Sequence, residues 1–75
     1  MKIIHPKDPA KLLQFKMSVP EYQRYSEEYV GFCIACGAER ECTEPDGRRI
    51  VCDQCESPKV YGAEELLVLN RIVLT

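Results

Sequence analysis

A small metal-stabilised α+β fold is what this sequence predicts, and three observations carry that reading. Four of the five cysteines fall in two C-x2-C pairs, Cys33-Ile34-Ala35-Cys36 and Cys52-Asp53-Gln54-Cys55. A turn sequence, Glu44-Pro45-Asp46-Gly47, lies between the pairs. The chain has only 75 residues. At that length about 60% of the unfolded surface is buried, and a core rarely supplies more than about 3–5 kcal/mol without a staple. The expected architecture is a three-stranded antiparallel sheet gripped by two metal knuckles. A short helix precedes it and an apolar helix or strand follows it.

Taken in chain order, residues 1–17 read as a basic N-terminal extension. Lys2, Lys7, Lys11 and Lys16 stand against Asp8 alone, a net of +3, whereas residues 18–75 carry a net of −5 and form the single domain. Asp8-Pro9 suits an N-cap followed by Pro at the first helical position. The alternation of Leu13, Phe15 and Met17 suits a strand, and both readings stay open. His5 sits in a Pro-containing stretch far from the cysteines and is assigned no chemistry. Ser18 with Glu21 forms a capping box, with Pro20 in the tolerant first turn, so a helix is expected over residues 19–29. Val19, Tyr22, Tyr25 and Tyr29 recur at helical spacing, and Gly31 is the expected stop. The tyrosines either pack on the domain or present Tyr22, Tyr25 and Tyr29 to a partner.

Residues 31–62 carry the chemistry. Fifteen residues separate the two pairs, which fits the C-x2-C-x15–20-C-x2-C spacing of a tetrathiolate zinc ribbon. A two-residue spacer lets a tight turn bring both sulfurs to one side of a shared ion. Gly37 after the first pair suits a turn of positive φ, while Glu56 after the second pair predicts a different or strained turn. The Glu44–Gly47 turn predicts a hairpin in which Cys42 faces Ile50 and Glu41 faces Val51. Lys59-Val60-Tyr61, ended by Gly62, is the third strand. Cys33, Cys36, Cys52 and Cys55 are the expected ligands of one structural Zn2+, and four thiolates leave no open coordination position. Iron is chemically compatible with the same donors, and disulfides would require an oxidising compartment. Cys42 is expected as a small buried hydrophobe on the inner face of the hairpin.

Residues 63–75 form the apolar C-terminal segment. Glu64 and Glu65 suit a helix start. Leu66 to Leu69 and Ile72 to Leu74 are apolar on nearly every side. They must pack against residues 1–17, pair as a strand or meet a partner. Leu69 and Ile72 are the residues expected at such a partner surface, and the segment is also a route to homo-oligomers.

At Cys33-Ile34-Ala35-Cys36-Gly37, Asp46-Gly47-Arg48-Arg49, Cys52-Asp53-Gln54-Cys55 and Val60-Tyr61-Gly62-Ala63-Glu64-Glu65-Leu66-Leu67, the chain resembles small zinc-ribbon proteins of bacteriophages and prophages, over residues 30–69. The resemblance implies a phage or mobile-element origin, a non-enzymatic zinc-bound fold and action in a bacterial cytoplasm. It supplies no target, and residues 1–29 lie outside it.

Other features bound the function. No apolar run approaches the ~20 residues of a bilayer span. Ile3-Ile4 is followed at once by His5-Pro6, which leaves no signal-peptide core and makes a cytoplasmic location the expectation. An open metal site, a histidine beside a nucleophile and a Gly-rich phosphate loop are all missing from the sequence, so a non-enzymatic role is expected. The leading expectation is a module that binds a bacterial or phage protein complex, such as transcription or defence machinery. The alternative is nucleic-acid binding through Arg48, Arg49 and Lys59 with the N-terminal lysines. A formal charge of −2, about −4 once four thiolates hold a divalent ion, weighs against that alternative.

Overall fold

The computed structural model describes residues 2–7 and 12–75. The elements are strands β1 (Lys2–Ile4) and β2 (Gln14–Met17), helix α1 (Val19–Glu27), strands β3 (Gly31–Cys33), β4 (Glu39–Arg40) and β5 (Val60–Gly62), helix α2 (Ala63–Val68) and strand β6 (Ile72–Leu74). The helix start expected at Asp8-Pro9 lies outside the described residues.

The strands make two three-stranded sheets. One has the order β1-β2-β6, with β1 antiparallel and β6 parallel to β2. The other has the order β4-β3-β5 and is wholly antiparallel. Side chains alternate along a strand, and this decides what the second sheet does. Phe32 and its cross-strand partner Tyr61 enter one apolar cluster, while Cys33 and its partner Val60 enter another. The larger cluster is shared by both sheets and both helices, and contains Leu13, Phe15, Met17, Phe32, Leu66 and Ile72. Phe15 packs on Phe32 with ring centroids 5.2 Å apart, and Tyr25 meets Phe32 edge-on at 5.0 Å.

Residues 14–17 therefore belong to the core and are not an appended basic arm. Phe15 and Met17 point inward and Lys16 outward, as a strand of this pattern requires. Lys16 stands beside Lys2 of β1, so part of the basic charge lies across two paired strands.

Helix α1 starts as the sequence requires, with the Glu21 N–H donating to Ser18 Oγ at 3.3 Å and the Ser18 N–H donating to Glu21 Oε1 at 3.1 Å. It stops at Glu27, two residues short of the expected Tyr29. Tyr29 adopts φ 57° and the Val30 N–H reaches back to the Tyr25 carbonyl at 3.0 Å, a Schellman closure with Tyr29 in the left-handed position. Gly31, expected as the stop, lies in β3. A Cβ there would meet Thr43 Cγ2 at 2.5 Å and the Tyr61 carbonyl oxygen at 2.8 Å.

The expected hairpin is half right. Its turn forms, with the Gly47 N–H donating to the Glu44 carbonyl at 2.8 Å. Its arms do not pair with each other: Arg40 pairs with Gly31 in β3, and Ile50 bridges to Val60. The turn docks instead on the start of α2, where Gly47 and Pro45 carbonyls accept from the Gly62 and Glu65 N–H groups, each at 3.0 Å. Helix α2 has no side-chain cap, so the Pro45 carbonyl satisfies one of its orphan donors. After α2, Asn70 takes φ 63° and the chain turns into β6, which lies beside β2 with Ile72 next to Phe15.

Candidate metal centre

β3 delivers Cys33 to the face opposite Phe32, and the chain then turns through Cys36 into β4. The second pair, Cys52 and Cys55, lies in the loop that the Ile50–Val60 bridge closes ahead of the rest of β5. The two half-sites repeat one backbone pattern. Cys33 N–H donates to the Ala38 carbonyl and Gly37 N–H to the Cys33 carbonyl, at 2.9 and 2.8 Å. Cys52 N–H donates to the Ser57 carbonyl and Glu56 N–H to the Cys52 carbonyl, both at 2.9 Å. The fifth residue is left-handed in each, Gly37 at φ 84° and Glu56 at φ 63°. The second knuckle thus turns as the first does and accepts the backbone strain at Glu56.

This symmetry brings four sulfurs together. The Sγ atoms of Cys33, Cys36, Cys52 and Cys55 all lie within 4.8 Å of one another. Cys33–Cys55 and Cys36–Cys52 are each 3.6 Å apart. Ligands about 2.3 Å from a tetrahedral centre stand about 3.8 Å from one another, so the cluster is the size of a tetrathiolate shell. Among the described residues, no other group of cysteine, histidine or carboxylate side chains converges this way. Cys33 and Cys52 are buried and rest on Val60, with Ala38 and Ile50 alongside, whereas Cys36 and Cys55 reach the surface. The donor set fits a soft or borderline divalent ion, and it offers a closed shell without water or carboxylate.

The thiols are not electrostatically equivalent. Burial pushes the Cys33 thiol up, and lost hydration around the Cys36 sulfur pushes it up to about 12. Backbone N–H groups of Cys55 and Gln54 lower Cys52, and the Ser57 N–H brings Cys55 down to about 7. In the metal-free chain the second half-site therefore ionises first.

Arg40 matters here although the sequence reading did not single it out. Arg40 Nη1 donates to the Val51 carbonyl at 3.1 Å and to Asp53 Oδ2 at 3.0 Å, on either side of Cys52. No motif signals this contact, because it depends on β4 pairing with β3. Cys42 corrects the expectation of a buried hydrophobe: it is exposed, at φ 58°, and Thr43 is the buried residue beside it. The failed hairpin register is the reason.

The residues expected at partner surfaces are scattered. Tyr22 and Tyr25 pack against the shared core, and Tyr29 is exposed. Ile72 is only 5% exposed, because parallel pairing sets it beside Phe15, while Leu69 is 40% exposed. Arg48 lies 3.5 Å from Glu65, and Arg49 is exposed at φ 51°. Lys59 is half-buried, and its carbonyl accepts from the Ile34 N–H. An open groove of about 820 Å3 lies apart from the sulfur cluster, with Tyr29, Glu39, Glu41 and Cys42 in its wall. Among the described residues no helix is long and apolar enough to cross a membrane. No protein-family model, curated protein or solved structure matches the chain.

Proposed function

We propose that this protein is a zinc-ribbon module in which one structural Zn2+ is held by Cys33, Cys36, Cys52 and Cys55, and which acts without catalysis by docking on a protein partner. The convergence of the four sulfurs carries the metal part of this reading. Zinc is favoured over iron as the common occupant of closed four-thiolate sites of this spacing. Docking is supported by aliphatic side chains exposed on α2 and β6: Val68 at 78%, with Leu67, Leu69, Val73 and Leu74 beside or beyond it in sequence. The resemblance to phage zinc ribbons points to a bacterial cytoplasm and to a host or phage assembly, such as transcription or defence machinery. Nucleic-acid binding has less support, since Glu65 offsets Arg48 and the loaded chain is acidic.

Elemental analysis of the native protein tests the core of the reading. One zinc per chain is expected. Iron, no stoichiometric metal, or sulfurs joined in disulfides would end it. Binding that collapses with salt and disappears with Arg48→Ala and Arg49→Ala would replace the protein partner with nucleic acid.

A further inference from the structure

We propose that Arg40 is a positioning residue of the metal centre: its guanidinium clamps the second C-x2-C half-site against the first and so sets how slowly the ion leaves. The inference rests on the tetrathiolate reading above. The two acceptors of Arg40 Nη1, the Val51 carbonyl and Asp53 Oδ2, flank Cys52 on both sides. The anchor is itself held. Arg40 pairs with Gly31, two residues before Cys33. Its carbonyl accepts from Thr43 Oγ1 at 3.0 Å, and Thr43 is 1% exposed. One side chain of β4, the strand paired with the one that delivers Cys33, therefore reaches the backbone and side chain on either side of Cys52.

This link has a specific consequence. A tetrathiolate ion leaves by stepwise loss of sulfurs, and each lost sulfur returns quickly only if its half-site stays in place. Partners that orient metal ligands contribute about ten- to hundredfold in affinity. The guanidinium charge is taken up in an ion pair with Asp53 at 3.0 Å, so the clamp acts by holding the backbone in place.

Co2+ loading followed by transfer to a chromogenic chelator tests the proposal. Wild-type protein is expected to give tetrahedral thiolate absorption bands and slow transfer. Arg40→Ala is expected to keep the band positions and to release cobalt about ten- to hundredfold faster. Asp53→Asn, which spares the Val51 contact, is expected to fall between. Release from Arg40→Ala within twofold of wild type would overturn the clamp. So would loss of the bands in Arg40→Ala, which would make the residue part of the fold. Absence of the bands in wild-type protein would instead sink the metal reading, and the clamp with it.

Discussion

Gly62 has no room for a side chain, because a Cβ would overlap the Glu44 carbonyl oxygen and lie 2.5 Å from the Pro45 carbonyl group. These are backbone atoms of the turn that docks on α2, so they cannot swing aside. Gly62→Ala is expected to destabilise the protein by about 3 kcal/mol, read as a lowered denaturation midpoint. Glu56 presents the opposite case. It holds a left-handed conformation that costs a non-glycine residue about 1–2 kcal/mol. Glu56→Gly is expected to stabilise the loaded protein by about 0.5–1 kcal/mol, after the added freedom of the unfolded chain is counted. Gly37→Ala should lose stability, since its Cβ would also lie 2.9 Å from Ile3 Cδ1. Gly37 was legible because glycine advertises positive φ. Glu56 was legible only as a departure that had to bring a different or a strained turn; which of the two occurs is decided by the paired backbone bonds of the knuckle, which impose the left-handed conformation.

Each knuckle is a local device, and local devices read well from sequence: the C-x2-C spacing, the Ser18–Glu21 box and the Glu44–Gly47 turn all appear where expected. Strand pairing did not read, because it is a competition between distant segments. Gly31 claims Arg40, and Val60 claims Ile50, so a correct turn joins arms that never pair with each other. Cys42 was misplaced for that reason alone. Replacing any one of Cys33, Cys36, Cys52 or Cys55 with Ser is expected to abolish stoichiometric metal and cooperative unfolding. Cys42→Ser, at an exposed site, should change stability by about 0.5 kcal/mol or less. Equal metal loss at Cys42 would show that the ligand set is wrong. Loading is also expected to depend on pH. Cys33 and Cys36 are raised and so keep their protons at neutrality in the metal-free chain, whereas Cys55, near 7, titrates there. Metal must displace the bound protons, so affinity falls as pH falls, by about tenfold per displaced proton per pH unit. Chelator competition from about pH 8 to about pH 6 measures that slope.

Over the whole molecule, the two sheets divide the work: one shares the large apolar cluster alone, and the other has that cluster on one face and the sulfurs on its other. On the proposed docking role, the surface left over is where a partner would sit. Leu69→Glu, at a 40%-exposed position, is expected to leave metal content and thermal stability near wild type while abolishing capture of a partner. Ile72→Glu, at a buried position, is expected to unfold the chain instead, and the contrast between the two separates docking from folding. The apolar C-terminal run was conspicuous in the sequence, yet its split into an inward Ile72 and outward Leu69 was not, because the parallel alignment with β2 decides it. That alignment also orders events during synthesis. The sheet beside Phe15 cannot be completed until Ile72–Leu74 has been made, after every residue of the sulfur cluster.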